Sequence, residues 1–356
     1  MALRRPVVLY NVQRLFRPSG GRVARALDAT AKRGWTRAAY EAKVAAVGAV
    51  LRDCTDGDRP AVLVLIEVED ATVVDDVVGA AGWPQLASVA VPGEKLDGWD
   101  VAVAYDPAVF PTGVAEARSW VFSNRFATRD LLVADLRGDA GRRLTVAATH
   151  WPSRSVSESQ PLRFAAAANC DRLLELVLKY PKEDLLSETG RARLPARARL
   201  LERWGTPLLV AGDLNDEPWD PTVRALRYAT PDLDAVTRAP RVPTGKSLRS
   251  VTSYLSLRAR LFNPTWLLPH DARAPGTYYY GGEWHRLDQF LVSSGALAGD
   301  EPRLVPGSLR VHAPRSVVVG GRDVAVSTPS GIPIGFDAGK GHGVSDHLPL
   351  VADFEF

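Results

Sequence analysis

The sequence predicts an α/β protein in which mixed β-sheets are flanked by helices. Three observations carry this. Eight short runs rich in β-branched residues are bounded by turn formers. Segments with helical apolar periodicity lie between some of them. Between residues 100 and 150, however, strands follow strands directly, which rules out a strict βαβ alternation.

In chain order, the strand-like runs are PVVLYNV (6–12), AVLVLIEV (61–68), DVAVAYD (100–106), DLLVADL (130–136) and RLTVAATH (143–150). TPLLVAGD (206–213), RLDQFLVS (286–293) and HLPLVADFEF (347–356) complete the set. A helix is expected over 36–53, where Tyr40, Val44, Val47 and Leu51 share a face. A second is expected over 160–180, with Leu162, Ala166, Leu173, Leu176 and Val177 aligned. Residues 181–205, rich in arginine, and 238–284, rich in Pro, Gly, Ser and aromatic residues, read as surface excursions. No repeat, low-complexity tail or dividing linker is evident, so residues 1–356 are read as a single domain although the length alone would allow two.

Composition narrows the function classes. A 46% hydrophobic and 24% charged chain can bury an ample core. The net charge of +3 is compatible with a phosphate-bearing substrate without requiring one. Two cysteines, Cys54 and Cys170, exclude a disulfide framework and a cysteine-rich metal site. No apolar stretch approaches a membrane span, and the apolar run near the start is too short for a signal-peptide core, so a cytoplasmic protein is expected.

Polar residues stand at the C-terminal ends of the apolar runs. Asn11 ends the first, Glu67 follows five apolar residues in LVLIEVED, and His150 ends LTVAATH. Asp213 and Asn215 end PLLVAGDLND, Asp288 lies inside RLDQFLVS, and Asp346-His347 opens the last run. Strand ends are where an α/β sheet presents side chains to a cleft without sacrificing its core. One such acid is an ordinary strand reaching solvent; six positions of this kind form a pattern. Carboxylate and amide oxygens without thiols suit a hard cation such as Mg²⁺ or Mn²⁺. Histidines beside acids suit proton transfer or contact with a phosphoryl oxygen. Neither a P-loop nor a Gly-x-Ser-x-Gly elbow is present.

The ordered set YNVQRLF, LIEVED, THWPS, AGDLND, RLDQFLVS and GVSDHLPLV, spanning nearly the whole chain, resembles the endonuclease/exonuclease/phosphatase superfamily, which includes DNase I and the exonuclease III-type repair nucleases. GTYYYGGEWHRLDQFLVS and THWPSR point to a bacterial branch of it. The resemblance implies a four-layer α/β sandwich, two packed mixed β-sheets with helices outside and the site at one end. It also implies roles. Glu67 would be the main metal ligand, with Asn11 and Asp346 completing the shell. Asp213 would orient or deprotonate the attacking water, and Asn215 would hold the phosphoryl group. His347 would touch a non-bridging oxygen with Asp288 on its other ring nitrogen, and His150 would serve as acid or phosphate contact. Gly343 and Ser345 would allow the turn that points Asp346 and His347 in different directions. One position departs from the branch pattern: Asn-Val-Glu-Asn is expected where the chain reads Asn11-Val12-Gln13-Arg14.

Beyond this set, Arg154 is the candidate substrate-phosphate contact. Trp151, Trp219, Trp266 and Trp284 flank the motifs and could stack on bases or pack the rim. His270, His285, His312 and His342 are read as ordinary loop or core residues, and the arginines at 191–203 as a solvated helix face. The expected activity is Mg²⁺- or Mn²⁺-dependent hydrolysis of phosphodiester bonds in nucleic acid, DNA ahead of RNA, by direct attack of water. The alternatives are a phosphatase or phosphodiesterase acting on a small-molecule or lipid phosphate, and a catalytically silent binding protein.

Overall fold

The computed structural model describes residues 3–18, 34–90, 100–120, 131–155, 159–185, 197–226, 229–238, 250–299 and 301–356. The apolar runs become strands close to the expected bounds: β1 (Arg4–Leu15), β2 (Val62–Val68), β4 (Asp100–Tyr105), β6 (Leu131–Arg137), β7 (Arg143–His150), β8 (Leu208–Asp213), β12 (Asp288–Ser293) and β17 (Leu350–Glu355). Sequence reasoning passed over β3 (Ala87–Ala90) and β5 (Gly113–Trp120). β3 is only four residues long, and β5 alternates charge instead of presenting an apolar run. Short strands β9 (Leu261–Phe262), β10 (Tyr278–Tyr280), β11 (Glu283–His285), β13 (Arg303–Leu304), β14 (Arg310–Val311), β15 (Ser316–Val319) and β16 (Arg322–Ala325) complete the described set.

Two large sheets result. One runs β13-β17-β1-β2-β4-β3, with β14 also paired to β17; the other runs β5-β6-β7-β8-β12-β9. Both are mixed. β1 and β2 are parallel, as are β7 and β8, while the remaining pairs are antiparallel.

Side-chain alternation explains the layering. In β1, Val7 and Leu9 point between the sheets, where they meet Val62, Val64 and Val103 and the inward residues Leu144, Val146, Leu209 and Phe290 of the second sheet. Val8 and Tyr10 point the other way, onto α1 (Arg37–Cys54) and α2 (Ala71–Ala80) through Val44, Val47, Leu51 and Val77. On the opposite side, Ala147, Val210 and Leu291 pack under α3 (Ser159–Leu178) through Ala166, Cys170 and Leu174. Strands buried on both faces read as continuous apolar runs, which is why they stand out in the sequence. The arrangement is a four-layer α/β sandwich.

α1 begins where the Thr36 side chain accepts from the Ala39 N–H, and α2 where Asp70 accepts from Val73. Within 181–205, α4 (Arg197–Trp204) exposes Arg199 and buries Leu200 and Trp204. Arg191 and Arg193 lie outside the described residues, as does 239–249 of the second excursion. Among the described residues, no helix is long and apolar enough to cross a membrane.

Candidate active site

Strand register assembles the centre of the site. His150 at the end of β7 is paired with Asp213 at the end of β8, and Asp213 in turn with Asp288 at the start of β12. One row across the second sheet therefore carries an imidazole and two carboxylates. Close approach of β7 and β8 is possible because Gly212 has no side chain; a Cβ there would lie 2.0 Å from the Thr149 carbonyl oxygen.

The facing edge of the first sheet supplies Asn11 and Glu67. Pairing of β1 with β2 shifts register between Asn11 and Leu15, and pairing of β2 with β4 shifts between Ile66 and Val68. At these irregularities Gln13 (φ 53°), Arg14 (φ 56°) and Glu67 (φ 66°) adopt left-handed backbone, and Asn215 (φ 50°) does so beyond β8. Left-handed conformations cost a non-glycine residue free energy and persist where packing dictates them, commonly at functional sites. Here they mark where β1, β2 and the segment after β8 leave regular pleating beside the site.

Asp213 occupies that centre. The Asn11 side-chain amide donates to its Oδ2 at 3.1 Å and the Asn215 N–H to its Oδ1 at 3.0 Å. His150 Nε2 lies 3.5 Å and His347 Nε2 3.9 Å from its Oδ2, while His150 is also 3.9 Å from Glu67 Oε1. The Glu67 Oε2 accepts from the Arg14 N–H at 2.9 Å. Burial, with Asp288 as a like-charged neighbour, pushes the Asp213 carboxyl well above its usual range.

His347 arrives from the C-terminal loop. Ser345 donates its hydroxyl to the Asn11 carbonyl at 2.7 Å and accepts from the His347 N–H at 3.2 Å, which ties the loop to β1. Gly343 takes φ 80°, and a Cβ there would meet the Gly335 carbonyl at 2.1 Å, so the turn needs glycine for both torsion and space. His347 Nδ1 is 2.7 Å from Asp288 Oδ2. Burial alone would lower the His347 pKa, but the charge and hydrogen bond of Asp288 more than offset it, raising it to about 10. The imidazole is therefore held as a cation at neutral pH.

Asp346 stands half-buried beside this centre, near enough for its charge to act on His347, Tyr278 and Lys43. Among the described residues, ligand atoms of Asp213, Asp288 and His347 lie within 4.8 Å of one another. That trio is not the expected Glu67, Asn11 and Asp346. In it, Asp288 Oδ2 and His347 Nδ1 already satisfy each other, whereas Asp288 Oδ1 is buried without a hydrogen-bond partner. Oxygen donors crowded together and a carboxyl pushed toward protonation are what an oxygen-preferring divalent cation would relieve. With Asp288 and His347 committed to each other, the carboxylate and amide oxygens of Glu67, Asn11 and Asp346 around Asp213 are the donors that would fit such an ion.

Arg154 is placed differently from expectation. Its guanidinium donates to the Asn215 carbonyl at 2.8 Å, to Asp216 at 3.3 Å and to Asp220 at 2.6 Å. It braces the loop that carries Asn215 instead of offering a free charge to substrate. Arg163 donates to Asp216 at 2.8 Å, extending the same brace. Of the tryptophans, Trp151 is fully buried and its carbonyl accepts from the Asn215 side chain, while Trp219 is exposed and meets Trp266 edge-on. The residue missed was Tyr278. It bridges to His347 in the backbone, lies tilted against that ring at 4.7 Å, and stacks on the exposed Tyr280 at 6.4 Å. Alternation in TYYYGG was the available signal, since residues two apart on a strand share a face.

Comparison with known proteins agrees with this fold. The model described as the Endonuclease/Exonuclease/phosphatase family matches residues 6–186. No curated protein matches the chain. A truncated TDP2 from Caenorhabditis elegans superposes with a TM-score of 0.54 at 16% identity, covering 99% of this chain and 98% of that one. TDP2 from D. rerio, complexed with a single-strand DNA product, gives 0.54 at 13% identity with 99% of each chain covered. An endonuclease/exonuclease/phosphatase family protein from Bacteroides thetaiotaomicron gives 0.51 at 13%, covering 100% and 99%. With half of the sequence matched by the family model and the strand-end acids, amides and histidines converging on one cleft, the chain belongs to the endonuclease/exonuclease/phosphatase family.

Proposed function

We propose that this protein hydrolyses phosphodiester bonds of nucleic acid, DNA ahead of RNA, by direct attack of water at the Asp213 centre. Family membership supports the broader part of this reading, a divalent-cation-dependent phosphoesterase. The observation that carries it is the environment of Asp213: a buried carboxylate anchored through both oxygens, flanked by two histidines and held at a raised pKa. A general base works best when its pKa lies near the working pH, and this carboxyl has been moved in that direction.

The contacts support the following roles. Asp213 accepts the proton of the attacking water, and Asn11 and Asn215 fix its orientation. The His347 imidazolium, pinned through Nδ1 by Asp288, offers Nε2 to a non-bridging phosphoryl oxygen. The second amide hydrogen of Asn215, whose first is used on the Trp151 carbonyl, serves the same group. His150, between Asp213 and Glu67, binds phosphate or supplies a proton to the leaving oxygen. Glu67, Asn11 and Asp346 would hold Mg²⁺ or Mn²⁺, which when bound neutralises phosphate charge and acidifies water. Arg154 acts as a positioning residue through Asn215.

The preference for nucleic acid over a small phosphate rests on the aromatic surface. From His347 the tilted ring of Tyr278 and the Tyr280 ring stacked on it lead outward, ending on a side chain 70% exposed. Such platforms accept unpaired bases irrespective of sequence. A structure of the same fold, D. rerio TDP2, holds a single-strand DNA product.

The test is a paired assay with Mg²⁺ or Mn²⁺, EDTA and Asp213→Ala. Supercoiled plasmid and labelled single strands go in one arm, phosphomonoesters and inositol phosphates in the other. Metal-dependent cleavage of nucleic acid, lost in Asp213→Ala, is expected. Phosphate release from a monoester with inert nucleic acid would replace this reading by the phosphatase one. Tyr280→Ala should weaken single-strand binding roughly five- to hundred-fold, the loss of one stacked base, while leaving hydrolysis of a minimal phosphodiester unchanged.

A further inference from the structure

Lys43 lies on the apolar face of α1 between Tyr40 and Val47 and is 2% exposed. A buried ammonium is costly unless its hydrogens and charge are satisfied. Among the described residues no carboxylate lies within salt-bridge distance of it. Its Nζ donates to the Gln13 carbonyl and faces the rings of Trp35 at 5.8 Å and Phe336 at 5.3 Å. Burial lowers its pKa to about 7 against the opposing pull of Asp346 and Glu67, so the ammonium stands behind the carboxylates of the site without bonding them.

Gln13, the position that departs from the branch pattern, is the junction. Its N–H donates to Asn11 Oδ1 at 3.0 Å, and its side-chain oxygen accepts from the Phe336 N–H at 2.8 Å. That side chain lies over Gly335, where a Cβ would be 2.9 Å from its amide nitrogen. The next residue, Arg14, is the one whose N–H holds Glu67. On the other side, the Gly335 carbonyl abuts Gly343, which opens the loop bearing Asp346 and His347. Trp35 closes the cage, meeting Phe336 edge-on at 5.9 Å and donating its indole N–H to the Phe16 carbonyl at 3.0 Å.

We propose that Lys43 and Gln13 form a positioning clamp, joining the β1 bulge to the 335–343 segment, that sets Glu67 and the Asp346–His347 loop in register for a divalent cation. This rests on reading the site as a metal-dependent phosphoesterase centre. The clamp acts through backbone contacts, and so it predicts a sign that simple electrostatics does not. A lysine that merely placed positive charge near the site would repel the ion, and neutralising it would tighten metal binding. A clamp that is cut leaves the ligands misplaced and weakens binding.

The measurement is isothermal titration of Mn²⁺ into the EDTA-stripped full chain, comparing wild type with Lys43→Met, Gln13→Ala and Glu67→Ala. Methionine keeps the length of the lysine stem within the aromatic cage. Both clamp variants should bind Mn²⁺ about tenfold or more weakly, the range seen when groups supporting ligands are removed. On the cleaved substrate they should lower kcat at saturating metal with KM nearly unchanged. Gln13→Glu, which keeps the acceptor for the Phe336 N–H, should retain wild-type Mn²⁺ affinity. Where Lys43→Met melts or aggregates, Gln13→Ala decides. Mn²⁺ affinity equal to or tighter than wild type in the folded clamp variants, with Glu67→Ala still losing it, would overturn the clamp alone. No Mn²⁺ binding by the wild type would overturn the metal reading and the clamp together.

Discussion

Asp288 shows how one side chain can decide the chemistry of another. Its carboxylate is fully buried, holds His347 Nδ1 at 2.7 Å, and is the largest cause raising the His347 pKa, ahead of Asp213 and Asp346. Asp288→Asn keeps the shape but removes the charge, so burial should dominate and His347 become a neutral imidazole at pH 7. The variant should retain Mn²⁺ binding while losing activity on the order of 10²-fold or more, the usual loss for a misoriented or wrongly protonated histidine. Comparing kcat of Asp288→Asn with that of His347→Ala checks this: similar values indicate that the aspartate works through the histidine. A double variant no worse than either single one would confirm the unit.

At the scale of elements, the site depends on the pairing of β7 with β8, which puts His150 opposite Asp213. Gly212 is the contact that allows it, with its Cα hydrogens against the Thr149 carbonyl. Gly212→Ala must push the two strands apart at that point. The expected cost is on the order of 3 kcal/mol, as for overpacking in a tight interior, measured as a lower urea midpoint. Activity should fall further than stability, because the displaced pair, His150 and Asp213, is the one proposed to act on substrate. Gly343→Ala combines a positive φ with a backbone clash and should impair the C-terminal loop in the same way. A Gly212→Ala protein with unchanged midpoint and rate would show that the strands yield without cost.

For the whole molecule, the centre stores unfavourable electrostatics that pH and metal should reveal. Asp213 has a raised folded-state pKa, so the native protein binds more protons than the unfolded chain above the ordinary carboxylate value. His347 is raised from 6.5 to about 10, so its contribution is full below about pH 6.5 and is lost as pH climbs through about 10. Both shifts make native stability fall as pH rises. In EDTA, the melting temperature should therefore decline between about pH 6 and 10, and His347→Ala should flatten the upper part of that decline. Added Mn²⁺ should raise the melting temperature most at the high end, where the ligands are deprotonated, with Glu67→Ala abolishing the gain. A pH-independent melting curve in EDTA would contradict the electrostatic account.

The sequence by itself determined the layer architecture and most of the polar side chains that meet at the candidate site. Strands buried on both faces have to be apolar along their length, so polar residues at the ends of such runs (Asn11, Glu67, His150, Asp213) or at their start (Asp288, His347) stood out together as a pattern. β5 was not legible because its outward face is charged, and β3 because four residues carry too little periodicity. Tertiary structure alone decided who meets whom. Register across β7, β8 and β12 made Asp213 the centre, loop packing turned Arg154 from a free charge into a brace for Asn215, and Tyr278 reached His347 through a hairpin. Lys43 was hidden for a related reason. A lysine on the apolar face of a helix breaks the pattern locally, but its partner, the Gln13 carbonyl, is a backbone atom thirty residues away that no side-chain pattern records. Periodicity reports which face a residue occupies; contacts between distant segments depend on how those faces close on one another in space.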